Sequence, residues 1–219
     1  MFNGNTNVLA IIIFLVAAGL IPFFVVTMTG FLKISVVMFL IRNALGVQQT
    51  PPNLLLYGIA LVLTVYVTSP LLSNVYSRVV ADPIDFNSVE SITTTAEAVK
   101  QPVQAYLARF TQPRERQFFL SATARIWPKD ARADLKDEDL VVLLPAFVSS
   151  ELTRAFEIGF LLYLPFLVID LVVSNILMAM GMIMVSPTLI SVPLKLFLFV
   201  GVDGWSRLMH GLILSYGGG

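Results

Sequence analysis

Apolar residues come in long runs along this chain, broken once by a polar stretch. Four runs approach the roughly 20 residues a helix needs to cross a bilayer: residues 8–28, 54–76, 158–177 and 189–214. A fifth, shorter run, FLKISVVMFLI, starts at Phe31. None of the four is a clean lipid-facing span. Pro22, Pro70, Pro165 and Pro193 each interrupt one, and proline removes a backbone donor and kinks a helix. The third run carries Asp170, and the fourth carries Lys195, Asp203, Arg207 and His210. A Lys or Asp near the middle of a lone spanning helix costs roughly 2.5–3.5 kcal/mol, so such groups face protein or a wet cavity.

Residues 77–145 are different. They hold nine of the fourteen basic and ten of the fourteen acidic residues. TTAE at residues 94–97 has the form of a capping box, and Pro102 and Pro113 suit first-turn positions. The pattern predicts an all-α fold of membrane-associated helical hairpins, with kinked apolar helices and an inserted small helical polar domain. Its parts are N-terminal apolar helices (1–76), the polar helical insert (77–145) and a C-terminal apolar hairpin (146–219). Lys33 and Arg42 lie in the link between the first two apolar segments. By the positive-inside rule they place that link in the cytoplasm and the insert in the periplasm.

Composition narrows the function classes. Apolar residues make up 57% of the chain and charged ones 13%, about half the charged share of an average soluble domain. Fourteen acids balance fourteen bases, so no basic field suggests nucleic acid. With no cysteine and one histidine, His210, there is no thiolate or multi-histidine metal site and no cysteine nucleophile. No metalloprotease, serine-hydrolase, phosphate-loop or dinucleotide motif occurs. No cofactor is expected. An intramembrane aspartyl protease would need Asp170 and Asp203 to converge from different segments, and an enzyme is not expected. No Lys or Arg precedes Lys33, so the first segment reads as retained and not as a cleaved signal.

Two features call for explanation. Glu151, Arg154, Asp170 and Lys195 are the charges most in need of partners, because a buried charge must be paired. Glu151 with Lys195, within or between subunits, is one arrangement; both reaching headgroups or water is the other. The second feature is MAMGMIMVSP at residues 178–187, with Met178, Met180, Met182 and Met184 spaced by single residues. On a helix, residues two apart diverge by about 200°, whereas in an extended segment they share a side. With Gly181 and Pro187 as flanks, the spacing favours a loop that presents all four in one direction. Apolar filler at a helix end is the alternative.

Two stretches carry a resemblance. FLKISVVMFLIRNALGVQQTPPN (31–53) and the run from PAFVSSELTRAFEIGF to VGVDGW (145–205) closely resemble the type III secretion export-apparatus proteins called SctR in injectisomes and FliP in flagella. FLKI and GVQQ look like the injectisome form; a flagellar subunit is the alternative within the family, and a small-solute or ion channel the alternative outside it. The resemblance implies a protein-conducting gate for unfolded polypeptides in the bacterial inner membrane. About five copies would assemble with SctS-like and SctT-like subunits, in contact with membrane lipids and lifted largely out of the bilayer. It also implies that the four methionines form a gasket closing the pore, and it favours an intersubunit form of the Glu151–Lys195 pair. The RNALGVQQTPPN turn (42–53) is expected to fix the joint between two helices.

Overall fold

A computed structural model describes residues 6–47, 49–81 and 88–217. Among them are eight α-helices: α1 (Thr6–Met28), α2 (Phe31–Ala44), α3 (Asn53–Ala81), α4 (Val89–Phe110), α5 (Pro113–Ile126), α6 (Leu140–Ala179), α7 (Thr188–Gly201) and α8 (Gly204–Leu214). The all-helical expectation holds, and the prolines do not end their helices. Pro22, Pro70, Pro165 and Pro193 all lie inside helices that continue through them. Each proline removes one intrahelical bond, which a long apolar helix tolerates. The breaks come at Thr29–Gly30 and at Val202–Asp203 instead. Among the described residues two helices, α3 and α6, are long and apolar enough to cross a membrane, and two bent pairs, residues 22–28 with α2 and α7 with α8, qualify if each counts as one span.

In the polar stretch, α4 starts five residues before the predicted capping box. Ser88 is its N-cap, accepting a 3.3 Å bond from the Ser91 amide. Thr94 is interior, and its hydroxyl donates back to the Glu90 carbonyl at 2.9 Å. Thr and Ser make this back-bond as readily as a cap, so the TTAE pattern alone does not locate a helix start. Pro102 is likewise interior to α4, while Pro113 does open α5.

The chain divides into two compact units whose boundaries fall between α1 and α2 and inside α3 and α6. The first comprises residues 1–30 and 66–151. Leu107 and Phe110 on α4 and Val142, Leu143, Ala146 and Phe147 on α6 are buried at helical spacing. Polar ties hold the short helices in place. The Gln112 amide donates to Ser150 Oγ at 2.9 Å, Ser149 donates to Glu115 at 2.7 Å, and Gln104 donates to the Glu138 carbonyl at 2.9 Å.

The second unit comprises residues 31–65 and 152–219. Its centre is α2, which buries Ile34, Val37, Met38 and Ile41, followed by Leu45. The helices that flank it bury much less. On α3 the buried positions are Leu56, Ala60 and Thr64, four residues apart; on α6 they are Ala155, Phe166, Val173 and Leu177. Gly159 belongs to the same line, where a Cβ would collide with the Leu40 side chain, so glycine here permits close approach of α6 to α2. Outside these stripes the surface is apolar and open: Leu54, Val62, Phe160, Leu161 and Leu171 are all more than half exposed. A surface of this kind needs lipid or another protein chain as its solvent.

The 42–53 turn is held by a side chain. Arg42, in the last turn of α2, donates to the Pro51 carbonyl at 3.2 Å and to Asn53 Oδ1, at the start of α3, at 2.5 Å. Arg42 is buried, and so is Lys33, whose ammonium lies 3.5 Å from the centre of the Tyr216 ring. Both cations used above to orient the chain are therefore helix residues engaged inside the protein. The positive-inside rule counts loop charges near headgroups, and these two do not qualify.

Candidate functional site: a methionine-rich loop and a buried ion pair

The loop joins α6 to α7. Helix α6 ends in a Schellman motif: the Met182 amide donates to the Leu177 carbonyl and the Gly181 amide to the Met178 carbonyl, each at 3.0 Å. Gly181 takes the left-handed conformation this cap requires, with φ +73°. A turn follows, closed by the Val185 amide on the Met182 carbonyl at 3.3 Å. Then α7 begins, with the Pro187 carbonyl accepting from Ile190 and Ser191. The segment is thus turned, not extended as its alternation predicted, and Met178 belongs to the last turn of α6. Helix capping satisfies the orphan carbonyls of α6, which an extended strand without a partner would leave open. Exposure is nevertheless common to all four: Met178 61%, Met180 67%, Met182 39% and Met184 101%, with Ile183 at 85%.

Lys195 is 4% exposed. Its ammonium donates to Asp170 Oδ2 at 2.5 Å and to the Ala44 carbonyl at 3.0 Å. Ala44 ends α2, so Lys195 caps that helix's C-terminus while pairing with α6. One side chain from α7 thereby binds α2 and α6. Within the second unit its partner is Asp170. Glu151 belongs to the first unit and is fully buried. Its negative charge, second to burial itself, helps push the Tyr106 phenol above its ordinary range. Asp203 is exposed, with φ 54°, and its carbonyl accepts the Arg207 amide at 3.0 Å. It turns the chain between α7 and α8, which are bent by 62°. Asp170 is therefore committed to a lysine and Asp203 to a turn.

Sequence reading missed Ser191 and Tyr216, and it did not foresee the partners of Arg42 and Lys33. Beside the ion pair a cleft of about 950 Å³ is lined by Asn43, Tyr163, Asp170, Ser174, Ser191 and Lys195, among others. Ser191, four residues before Lys195 on α7, is buried there, and its hydroxyl has no hydrogen-bond partner among the described residues. Arg42 and the Lys33–Tyr216 contact complete the set. The i, i+4 spacing of Ser191 and Lys195 was visible, and the apolar run around them masked it.

The pattern of the FliP family matches residues 14–212. Over 99% of this chain and 97% of the relative, 54% of residues are identical to the probable translocation protein y4yL of Sinorhizobium fredii. The Yop proteins translocation protein R of Yersinia pestis is 50% identical over 95% of this chain and 96% of its own. The virulence protein YscR of Salmonella typhimurium is 42% identical over 90% and 92%. Matched across nearly its whole length by the family and by these relatives, the chain belongs to the FliP family and is an SctR-type component of the type III secretion export apparatus.

Proposed function

We propose that this chain is a pore-forming subunit of the export gate. In this reading, about five copies join SctS-like and SctT-like subunits to make a portal for unfolded polypeptides in the bacterial inner membrane. The methionine loops converge on the axis and close the pore at rest.

The observation that carries the reading is the exposure of five large apolar side chains, Met178, Met180, Met182, Ile183 and Met184, on one capped loop. Burying such a side chain gains about 1.5–3 kcal/mol, so a loop that leaves five open is built for burial elsewhere. Methionine suits a seal for cargo of any sequence. It is unbranched and polarisable, so it repacks around varied side chains and stays apolar. An apolar constriction also blocks ions by dewetting. Four methionines from each of about five copies give a compliant collar of roughly twenty thioethers.

Ion conductance of the purified complex in planar bilayers tests this directly. The parent complex should be silent, and the variant with Ala at 178, 180, 182 and 184 should conduct. If the variant assembles and stays silent, the methionines are packing residues and the seal lies elsewhere.

A further inference from the structure

A second cavity, of about 650 Å³, opens in the second unit, within the size range typical of small-molecule sites. One helical face of α6 forms a wall, with Ile158, Leu161, Leu162, Pro165 and Phe166 at i, i+3, i+4, i+7 and i+8. Leu198 and Phe199 of α7, with Val202 just beyond its end, close one side, and α8 with the adjoining Ser215 supplies the opposite wall. Its contributing positions are Gly204, Arg207, Leu208, Gly211, Leu212 and Ser215, again one helical face. The 62° bend between α7 and α8 splays these walls apart.

Two details define what fits. Gly211 faces open space, since a Cβ built there meets nothing within 4 Å. The groove is therefore empty at this point and not filled by packing. Arg207 is the only charged residue of the lining, is exposed, and has no ion pair among the described residues. It stands at the edge of the α8 face, about 60° round the helix from Gly204. An apolar trough with a lone guanidinium on its rim matches a molecule that is apolar along its length and anionic at one end. In a chain with membrane-spanning helices, that molecule is a phospholipid.

We propose that this groove holds the acyl chain of an anionic phospholipid, with Arg207 taking its phosphate in a charge-assisted hydrogen bond. The lipid fills the wedge that the α7–α8 bend leaves against α6, and so acts as a structural component of the subunit.

Trp205 reports on the site, because its ring lies 5.3 Å from that of Phe199 in the groove wall. The full chain, with Trp127 replaced by Phe, is purified in detergent and titrated with phosphatidylglycerol carrying brominated acyl chains. Quenching of Trp205 should saturate at low lipid mole fraction. Gly211→Leu fills the trough and should remove the saturable component, whereas Gly211→Ala should retain it. Arg207→Gln should weaken phosphatidylglycerol about tenfold, to the level of brominated phosphatidylcholine, with unchanged far-UV circular dichroism. Quenching that rises linearly with lipid and is equal in all variants overturns the proposal. So does a Gly211→Leu chain that still quenches saturably but no longer co-purifies with a second tagged copy; the groove would then seat a neighbouring subunit.

Discussion

Asp170→Asn should destabilise the chain more than Lys195→Met, although both break the same pair. The asymmetry follows from burial. The Lys195 side chain is 5% exposed and that of Asp170 38%. Without the carboxylate, the ammonium stays buried with only the Ala44 carbonyl and a neutral amide to answer it. Breaking a fully buried pair in this way costs about 3–5 kcal/mol. The open edge at Asp170 and the retained carbonyl lower this to roughly 2–3 kcal/mol. Removing Lys195 instead leaves a carboxylate that opens on the cleft and is far less enclosed than the ammonium. The loss is then mainly the cap on Ala44, about 1 kcal/mol. The double replacement Asp170→Leu, Lys195→Met exchanges the pair for apolar volume and should return close to the parent. Thermal unfolding in detergent, followed by circular dichroism, reads each step. At about 2–4 °C per kcal/mol for a chain of this size, Asp170→Asn should lower Tm by roughly 5–10 °C and Lys195→Met by about 2–4 °C. Equal losses in the two single variants, or losses that simply add in the double, would refute the pairing and its burial asymmetry.

Three other outcomes are expected. Gly159→Leu forces a side chain into Leu40 and should cost at least about 1–3 kcal/mol through overpacking, seen as a lower Tm. Arg42→Lys removes the two-acceptor clamp on Pro51 and Asn53. A lysine lacks the planar fork, so faster proteolysis across residues 42–53 should follow. Tyr106 has a buried hydroxyl with no partner among the described residues, and burial raises its pKa. The unfolded chain ionises near pH 10 while the folded phenol does not. The folded state holds the proton more tightly, so stability falls as pH climbs above about 10. Tyr106→Phe should flatten that alkaline loss and leave stability at pH 7 unchanged or raised by about 1 kcal/mol.

The helical class and the apolar segments were legible because composition and run length report burial against water or lipid directly. Breaks were less so. Residues 189–214 read as one stretch, yet Asp203 turns left-handed between Gly201 and Gly204 and divides it. VGVDGW contains that signal, since glycine and aspartate tolerate such turns, but the hydrophobicity on either side outweighed it. The partner of Lys195 was legible in principle. Asp170 stands nine residues before the end of α6 and Lys195 seven after the start of α7. A helical hairpin closing at the methionine loop brings such positions level. That the methionines sit on a loop was legible in their spacing, but its turned form was not: alternation alone fits an extended segment, and it is the Schellman cap at Gly181 that turns the chain.

The narrow stripes on α3 and α6 set the thermodynamics of joining this chain to other subunits. Their remaining surface is apolar, so a neighbour that replaces lipid there exchanges one hydrocarbon environment for another. Such an exchange supplies little of the driving force that folds proteins in water. Specific recognition between subunits is therefore encoded in the few polar groups and small residues on those faces. A subunit made in excess would stay dissolved in the bilayer and would not aggregate out of it.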